Sequence, residues 1–136
     1  MKNKVRLIAI LTITMMFATA TVMAQKAGGP WEIPAKYKTM KSTVKAGDAS
    51  INTTGKELFN KHCKSCHGTK GLGDGPKSAM MKTKMPSFAD PKFKAETDGE
   101  IYYQSIVGRD EMPNFEKKIV DEADRWALVG YVRSLK

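Results

Sequence analysis

The sequence predicts a small all-α fold, a bundle of short helices with no sheet. Three observations predict it. Thr54-Gly55-Lys56-Glu57 and Thr97-Asp98-Gly99-Glu100 are both Thr-x-x-Glu capping boxes, the signature of a helix start. Asp121, Glu122 and Asp124 place acids where a third helix would present the positive end of its dipole. No stretch reads as a strand, and there are no internal repeats or low-complexity tracts.

The first expected helix runs from Thr54 through Leu58 and Phe59 toward Cys63. The second carries Ile101, Ile106 and Val107 and stops at Gly108, a natural helix-ending glycine. The third supplies Trp126, Val129, Gly130 and Val132 and ends on Arg133 and Lys136. A long Gly- and Pro-rich loop, Gly68 to Pro91, separates the first two. A loop of that length is unusual in a compact domain, and it makes sense if it wraps something other than protein.

With 136 residues, the chain fits one domain. Residues 51–136 are expected to form it. Residues 1–24 read as a secretory signal peptide: Lys2, Lys4 and Arg6, then apolar Leu7 to Ala20, then Val22-Met23-Ala24 before Gln25. Ala18-Thr19-Ala20 is a second cut site. The competing reading is an uncleaved anchor touching the membrane. The apolar run is short for a span, which needs about 20 residues, and Thr12, Thr14 and Thr19 interrupt it. Cleavage and a periplasmic or otherwise exported protein are therefore expected. No cysteine marks a lipid attachment at the junction. Residues 25–50 hold Gly28, Gly29, Pro30 and Pro34 with little periodicity, and read as an extended arm or linker. Trp31 and Ile33 are its candidates for docking on the domain; the other reading is a mobile tail.

The net charge is +9. It stays positive after loss of the three signal-segment cations. An exported protein is a poor partner for nucleic acid, whatever its charge. So small a domain buries a modest core and commonly needs a metal, disulfide or cofactor.

That need bears on the two cysteines. Cys63-Lys64-Ser65-Cys66-His67 is Cys-x-x-Cys-His, the c-type haem attachment motif. Two thiols three residues apart at a helix end reach the two vinyl groups of one porphyrin, and the adjacent imidazole becomes the proximal iron ligand. One haem c, covalently bound through Cys63 and Cys66 and ligated by His67, is therefore expected. A disulfide would close a tiny loop and restrain the unfolded chain little. A thioredoxin-like pair needs a preceding strand. A zinc site needs about four ligands, and His62, beside the motif, is the sole other Cys or His.

His62 neighbours Cys63 and belongs to the proximal segment, so the sixth ligand comes from elsewhere. A thioether is the natural partner. Met85-Pro86-Ser87-Phe88 and Met112-Pro113-Asn114-Phe115 are near-identical candidates. Met112 lies between Gly108 and the last helix, in a loop that two packed helices can hold over the distal face. It is the expected ligand, with Met85, just past the proximal side, as the alternative. Met40, Met80 and Met81 read as surface or packing residues. A ligating histidine donates its second ring N–H to an acceptor. The carbonyl of Pro76, nine residues past His67 in Gly73-Asp74-Gly75-Pro76, is the expected one.

Taken together, the features from Ile51 to Lys136 resemble the class I c-type cytochromes of the small bacterial periplasmic kind. Gly55, Phe59 and Cys63 recur at the four-residue spacing of that family's first helix, and Trp126 to Arg133 is similar to its terminal helix. Gly108 to Phe115 matches its distal loop, and Pro76 its proximal proline. The resemblance implies a helical bundle around one haem with an exposed edge, Gly55 admitting the last helix, and Tyr131 with Trp126 packed on Phe59. It also carries the axial role to Met112. The arm and the second Met-Pro pair at Met85 depart from the pattern.

A non-enzymatic, monomeric electron carrier is expected, serving redox partner proteins. Lys61, Lys64, Lys70, Lys77, Lys82 and Lys84 near the motif would steer acidic docking faces. Two other readings remain: a haem-based ligand-binding or sensing module, and a dedicated cytochrome subunit of a larger oxidoreductase.

Overall fold

The computed structural model describes residues 28–135, so the expected signal segment lies outside the described residues. Among the described residues six short α-helices follow one another: α1 Ala35–Lys38, α2 Lys56–His62, α3 Lys64–His67, α4 Pro91–Lys94, α5 Asp98–Tyr102 and α6 Glu122–Ser134. A π-helical turn, Ile51–Gly55, runs directly into α2, and another, Tyr103–Val107, continues α5. Among the described residues there is no strand, only one isolated bridge between Arg109 and Met112.

The capping signals succeed at two of three helices. Thr97 accepts the Glu100 amide at 3.2 Å while the Glu100 carboxylate accepts the Thr97 amide at 2.7 Å, the full reciprocal box. Asp121 accepts the amides of Ala123 and Asp124 at the head of α6. The box expected at Thr54 does not form. Thr54 lies inside the π-helical turn, and the Asp48 carboxylate accepts the Ser50 amide at 2.8 Å upstream. The helical stretch starts earlier because Ile51 and Gly55 are drawn against α6.

Gly55 is where that approach is closest. A Cβ there would run into the Ala127 carbonyl of α6, so no larger residue fits without moving a helix. The approach lets Phe59, fully buried, meet Tyr131 at 5.4 Å and Phe88 at 6.5 Å. Tyr131 thus packs on Phe59 as expected. Trp126 goes elsewhere: its ring lies 4.6 Å from Tyr102 and its indole N–H donates to Glu122. One position of α6 faces α2 and the other faces α5, because residues five apart point to different sides of a helix. Phe88, Phe93, Ile101, Ile106, Phe115, Leu128, Val129 and Val132 complete the core.

The arm is neither fully extended nor detached over its described part. Pro34 opens the single turn α1, and Tyr37 from that turn packs on Tyr103 at 4.7 Å and stacks near Tyr102 at 6.3 Å. Trp31 meets the edge of Tyr103 at 6.2 Å, and Ile33 is half-buried. The short helix α4 is an element the sequence reading does not include. Asp90 caps it through the Lys92 amide, with Pro91 at the first helical position, a local signal present in the sequence. No helix among the described residues is long and apolar enough to cross a membrane.

Candidate cofactor site

The motif Cys63–His67 forms one helical turn at the end of α2. Cys63 N–H donates to Phe59 O, and the Cys66 and His67 amides both donate to Cys63 O, at 3.1 and 3.0 Å. Residues i, i+3 and i+4 of a helix share a face, so the two thiols and the imidazole are presented together. Both cysteines are free; Cys63 is buried and Cys66 half-buried. Burial, with Cys66 nearby, pushes the Cys63 thiol up to about 12.

The following loop folds back on this turn. Gly73 N–H donates to His67 O at 2.9 Å, Gly75 to Cys66 O at 3.1 Å, and Lys77 to Ser65 O at 2.8 Å. Pro76, itself exposed, is therefore pinned beside the motif by its neighbours on both sides. It lines a shallow depression with Lys64, Gly68 and Asp74, not the cleft that receives His67.

His67 is 7 % exposed, and its ring stacks on Phe88 at 4.7 Å. Burial pushes its pKa down to about 4, so the imidazole is neutral, with one ring nitrogen carrying a lone pair free to ligate. Its Nδ1 is buried with no hydrogen-bond partner. An orphaned ring nitrogen on a neutral imidazole is costly unless something engages it.

His67 lines an open cleft of about 110 Å³. Met85, Pro86, Phe88, Phe93, Gln104, Arg109, Glu111 and Met112 are among its other walls. The structure thus brings His67 and both candidate methionines to one cleft. They arrive differently. Met85 comes with the proximal loop: a Cβ on Gly73, which is bonded to His67, would strike the Met85 backbone. Met112 arrives from the α5 side. Gly108 ends the π-helical turn with φ 69°, and a Cβ there would meet the carbonyls of Met112 and Pro113. The Met112 amide donates to Arg109 O at 2.8 Å, and Phe115 N–H to Ile106 O at 2.8 Å, which ties the loop to its helix.

An imidazole with an unengaged buried nitrogen and a thioether share one mostly apolar cleft, and two free thiols sit on the same helical turn as the imidazole; together they form a donor set that suits haem c. Among the described residues no cluster of three or more His, Cys, Asp or Glu is gathered to hold a bare metal ion. His62 is half-buried against Phe115 at 5.3 Å, and burial with nearby Lys61 and Lys118 lowers its pKa. Met80 is exposed, while Met40 packs against the core.

The sequence profile described as cytochrome c matches residues 53–136. The chain belongs to the cytochrome c family. That family carries covalently bound haem c and transfers electrons, and its domains are generally extracytoplasmic. Among similar proteins is the cytochrome bc1 complex cytochrome c subunit of Corynebacterium diphtheriae, 28% identical over 82 residues, covering 60% of this chain and 26% of that protein. The same-named subunit of Corynebacterium efficiens is 25% identical over 132 residues, covering 92% and 42% respectively. The chain therefore spans less than half the length of these curated relatives.

Sequence reasoning did not find the polar residues around the cytochrome c cleft: Gln104, Arg109 and Glu111. The charged run Arg109-Asp110-Glu111 directly before Met112-Pro113 was the available signal.

Proposed function

We propose that this chain is an exported, monomeric one-electron carrier, not an enzyme, working through one haem c joined to Cys63 and Cys66 and ligated by His67 and Met112. The observation that carries this reading is the single cleft lined by both His67, from the motif's helical turn, and Met112, from the loop after α5. Met112 is favoured over Met85 because Met85 shares His67's own loop, whereas Met112 reaches the cleft on a separate wall, from the loop after α5.

When bound, the haem supplies a metal that alternates between ferric and ferrous states. The chain's own residues do the rest. Burial keeps His67 neutral and ready to ligate. With the haem bound, the Pro76 carbonyl, held beside the motif, would be the acceptor for the second ring N–H of His67, which has no partner in this structure. The Met112 thioether would hold the haem iron from the other wall of the cleft and favour its reduced state. Phe88 and Phe93 give the cleft an apolar lining. Lys61, Lys64, Lys70, Lys77, Lys82 and Lys84 are all exposed and would draw in an acidic redox partner.

The test is spectroscopic. Exported protein should retain haem after denaturation, and its oxidised form should show the weak far-red band of iron–thioether charge transfer. Colourless protein with unmodified thiols would end the proposal. A partner-association rate independent of ionic strength would remove the steering role of the lysines.

A second reading is favoured by the names of the relatives, both cytochrome c subunits of a bc1 complex. Here the chain is a dedicated subunit of a larger oxidoreductase. Purification of the native protein under mild conditions separates the two: co-migration with a fixed set of membrane subunits supports the second, and a free monomer the first.

A further inference from the structure

We propose that Arg109 and Glu111 are positioning residues for Met112, bracing its loop from two sides so that the thioether stays in the cleft. This rests on the reading of Met112 as axial ligand. The loop needs bracing for a visible reason. It is a tight turn of a few residues containing Asp110 at φ 48°, a left-handed conformation unusual for a residue other than glycine. Met112 itself is half-buried at the cleft mouth, and Pro113 and Asn114 beyond it are exposed. Within Arg109–Met112 that geometry is held by one backbone bond and a long Arg109–Asp110 ion pair at 3.9 Å.

Two long-range contacts supply the constraint. Glu111 reaches across to a segment 28 and 29 residues earlier, where the amides of Thr83 and Lys82 each donate to one carboxylate oxygen at 3.0 Å. These are charge-assisted bonds, stronger than neutral ones. They tie the Met112 loop to the loop that carries Met85. Arg109 points to the N-terminal arm. Its guanidinium donates to the carbonyls of Pro30, at 2.8 Å, and Gly29, and lies 4.1 Å from the centre of the Trp31 ring. Trp31 is held in turn on Tyr103 of the π-helical turn. Gly28, Trp31, Thr83, Arg109 and Glu111 all line the cleft beside Met112. The arm is thereby assigned a job: it is the anchor of one brace.

A ligand on a braced loop exchanges slowly with outside ligands; one on a loose loop opens often. In the haem-loaded protein, Arg109→Ala and Glu111→Ala should each weaken the far-red thioether band. Each should also speed carbon monoxide binding to the reduced form about tenfold, the equivalent of one charge-assisted contact. Trp31→Ala should reproduce part of the Arg109 effect and add little to it in the double variant. Met112→Ala is the control for the underlying reading. An unchanged band in that variant means that Met112 is not the ligand, and the proposal falls with it. Loss of the band in Met112→Ala, together with wild-type band and carbon monoxide rate in the Arg109 and Glu111 variants, overturns the bracing alone. A readout independent of the haem iron is amide exchange at Lys82 and Thr83, which should quicken roughly tenfold in Glu111→Ala; unchanged exchange also refutes the brace. Should the alanine variants not fold, Arg109→Lys and Glu111→Gln keep charge or shape and serve the same comparison.

Discussion

The two walls of the cleft are built in opposite ways. The wall that carries His67 is made of contiguous backbone: Cys63 to Lys77 bonds to itself through Cys63 O, Ser65 O, Cys66 O and His67 O. The wall that carries Met112 is a short turn fixed from afar, by Gly29, Pro30, Lys82 and Thr83. Local backbone bonding makes the first wall rigid and autonomous. Long-range side-chain contacts make the second conditional on the rest of the fold. Under the proposed function an electron carrier gains from this division, because covalent attachment of the cofactor needs a firm platform while the Met112 thioether needs only to be held in place.

The sharpest way to break the comparison is to remove the thiols. Replacing both Cys63 and Cys66 by Ala should abolish covalent attachment completely, read as loss of haem staining on a denaturing gel. Attachment surviving in the double variant would mean that the first wall is not the platform. Next comes the choice between the methionines. Met112→Ala should lose the thioether band, and Met85→Ala should keep it. The reverse result would move the axial ligand onto the proximal loop and erase the distinction between the walls.

The same division explains what was legible in the sequence. Cys63 to His67 was legible because its chemistry is written in five consecutive residues. Thr97 and Asp121 were legible because caps are set within one turn. The box at Thr54 failed because tertiary packing of Ile51 and Gly55 on α6 overrides a local hydrogen-bond preference. The family resemblance points Trp126 at Phe59, but the ring meets Tyr102, since helical phase decides its neighbour and sequence similarity does not. Arg109 and Glu111 were invisible for a stronger reason. Their partners lie 79 and 28 residues away or thereabouts, and most of those partners are main-chain groups with no identity to read.

Phe59 joins the platform to the terminal helix, so it tests how autonomous the first wall is. It is fully buried between Tyr131 and Phe88. Phe59→Ala should cost about 3–5 kcal/mol of stability in denaturant unfolding of the haem-loaded protein, transfer and cavity terms together. A loss under about 1 kcal/mol would mean that the covalent haem, and not the Phe59 contact, holds α2 to α6. Asp121→Ala, which removes the cap of α6, should cost about 1 kcal/mol by the same measurement.

The smallest expected effect lies on the side of the second wall and concerns pH. Gln104, which lines the cleft, donates from Nε2 to the Glu96 carboxylate at 2.6 Å. Burial holds that carboxyl above its ordinary value of 4.5, partly offset by the Gln104 bond; nearby Glu100 adds to the rise and Arg133 opposes it. Arg133 also donates to the Glu96 carbonyl at 2.7 Å. A carboxyl with a raised folded-state pKa binds its proton more tightly folded than unfolded. Its contribution therefore favours folding at low pH and is lost as pH rises from the unfolded value through the raised one. Glu96→Gln keeps an acceptor for Gln104 and removes the titration. The variant's unfolding midpoint should fall less than that of the wild type as pH rises just above 4.5. Because the group is half exposed, the difference is small. Parallel pH profiles would show that Glu96 titrates as it does in the unfolded chain, and that the anchorage of Gln104 in the distal wall does not depend on its charge.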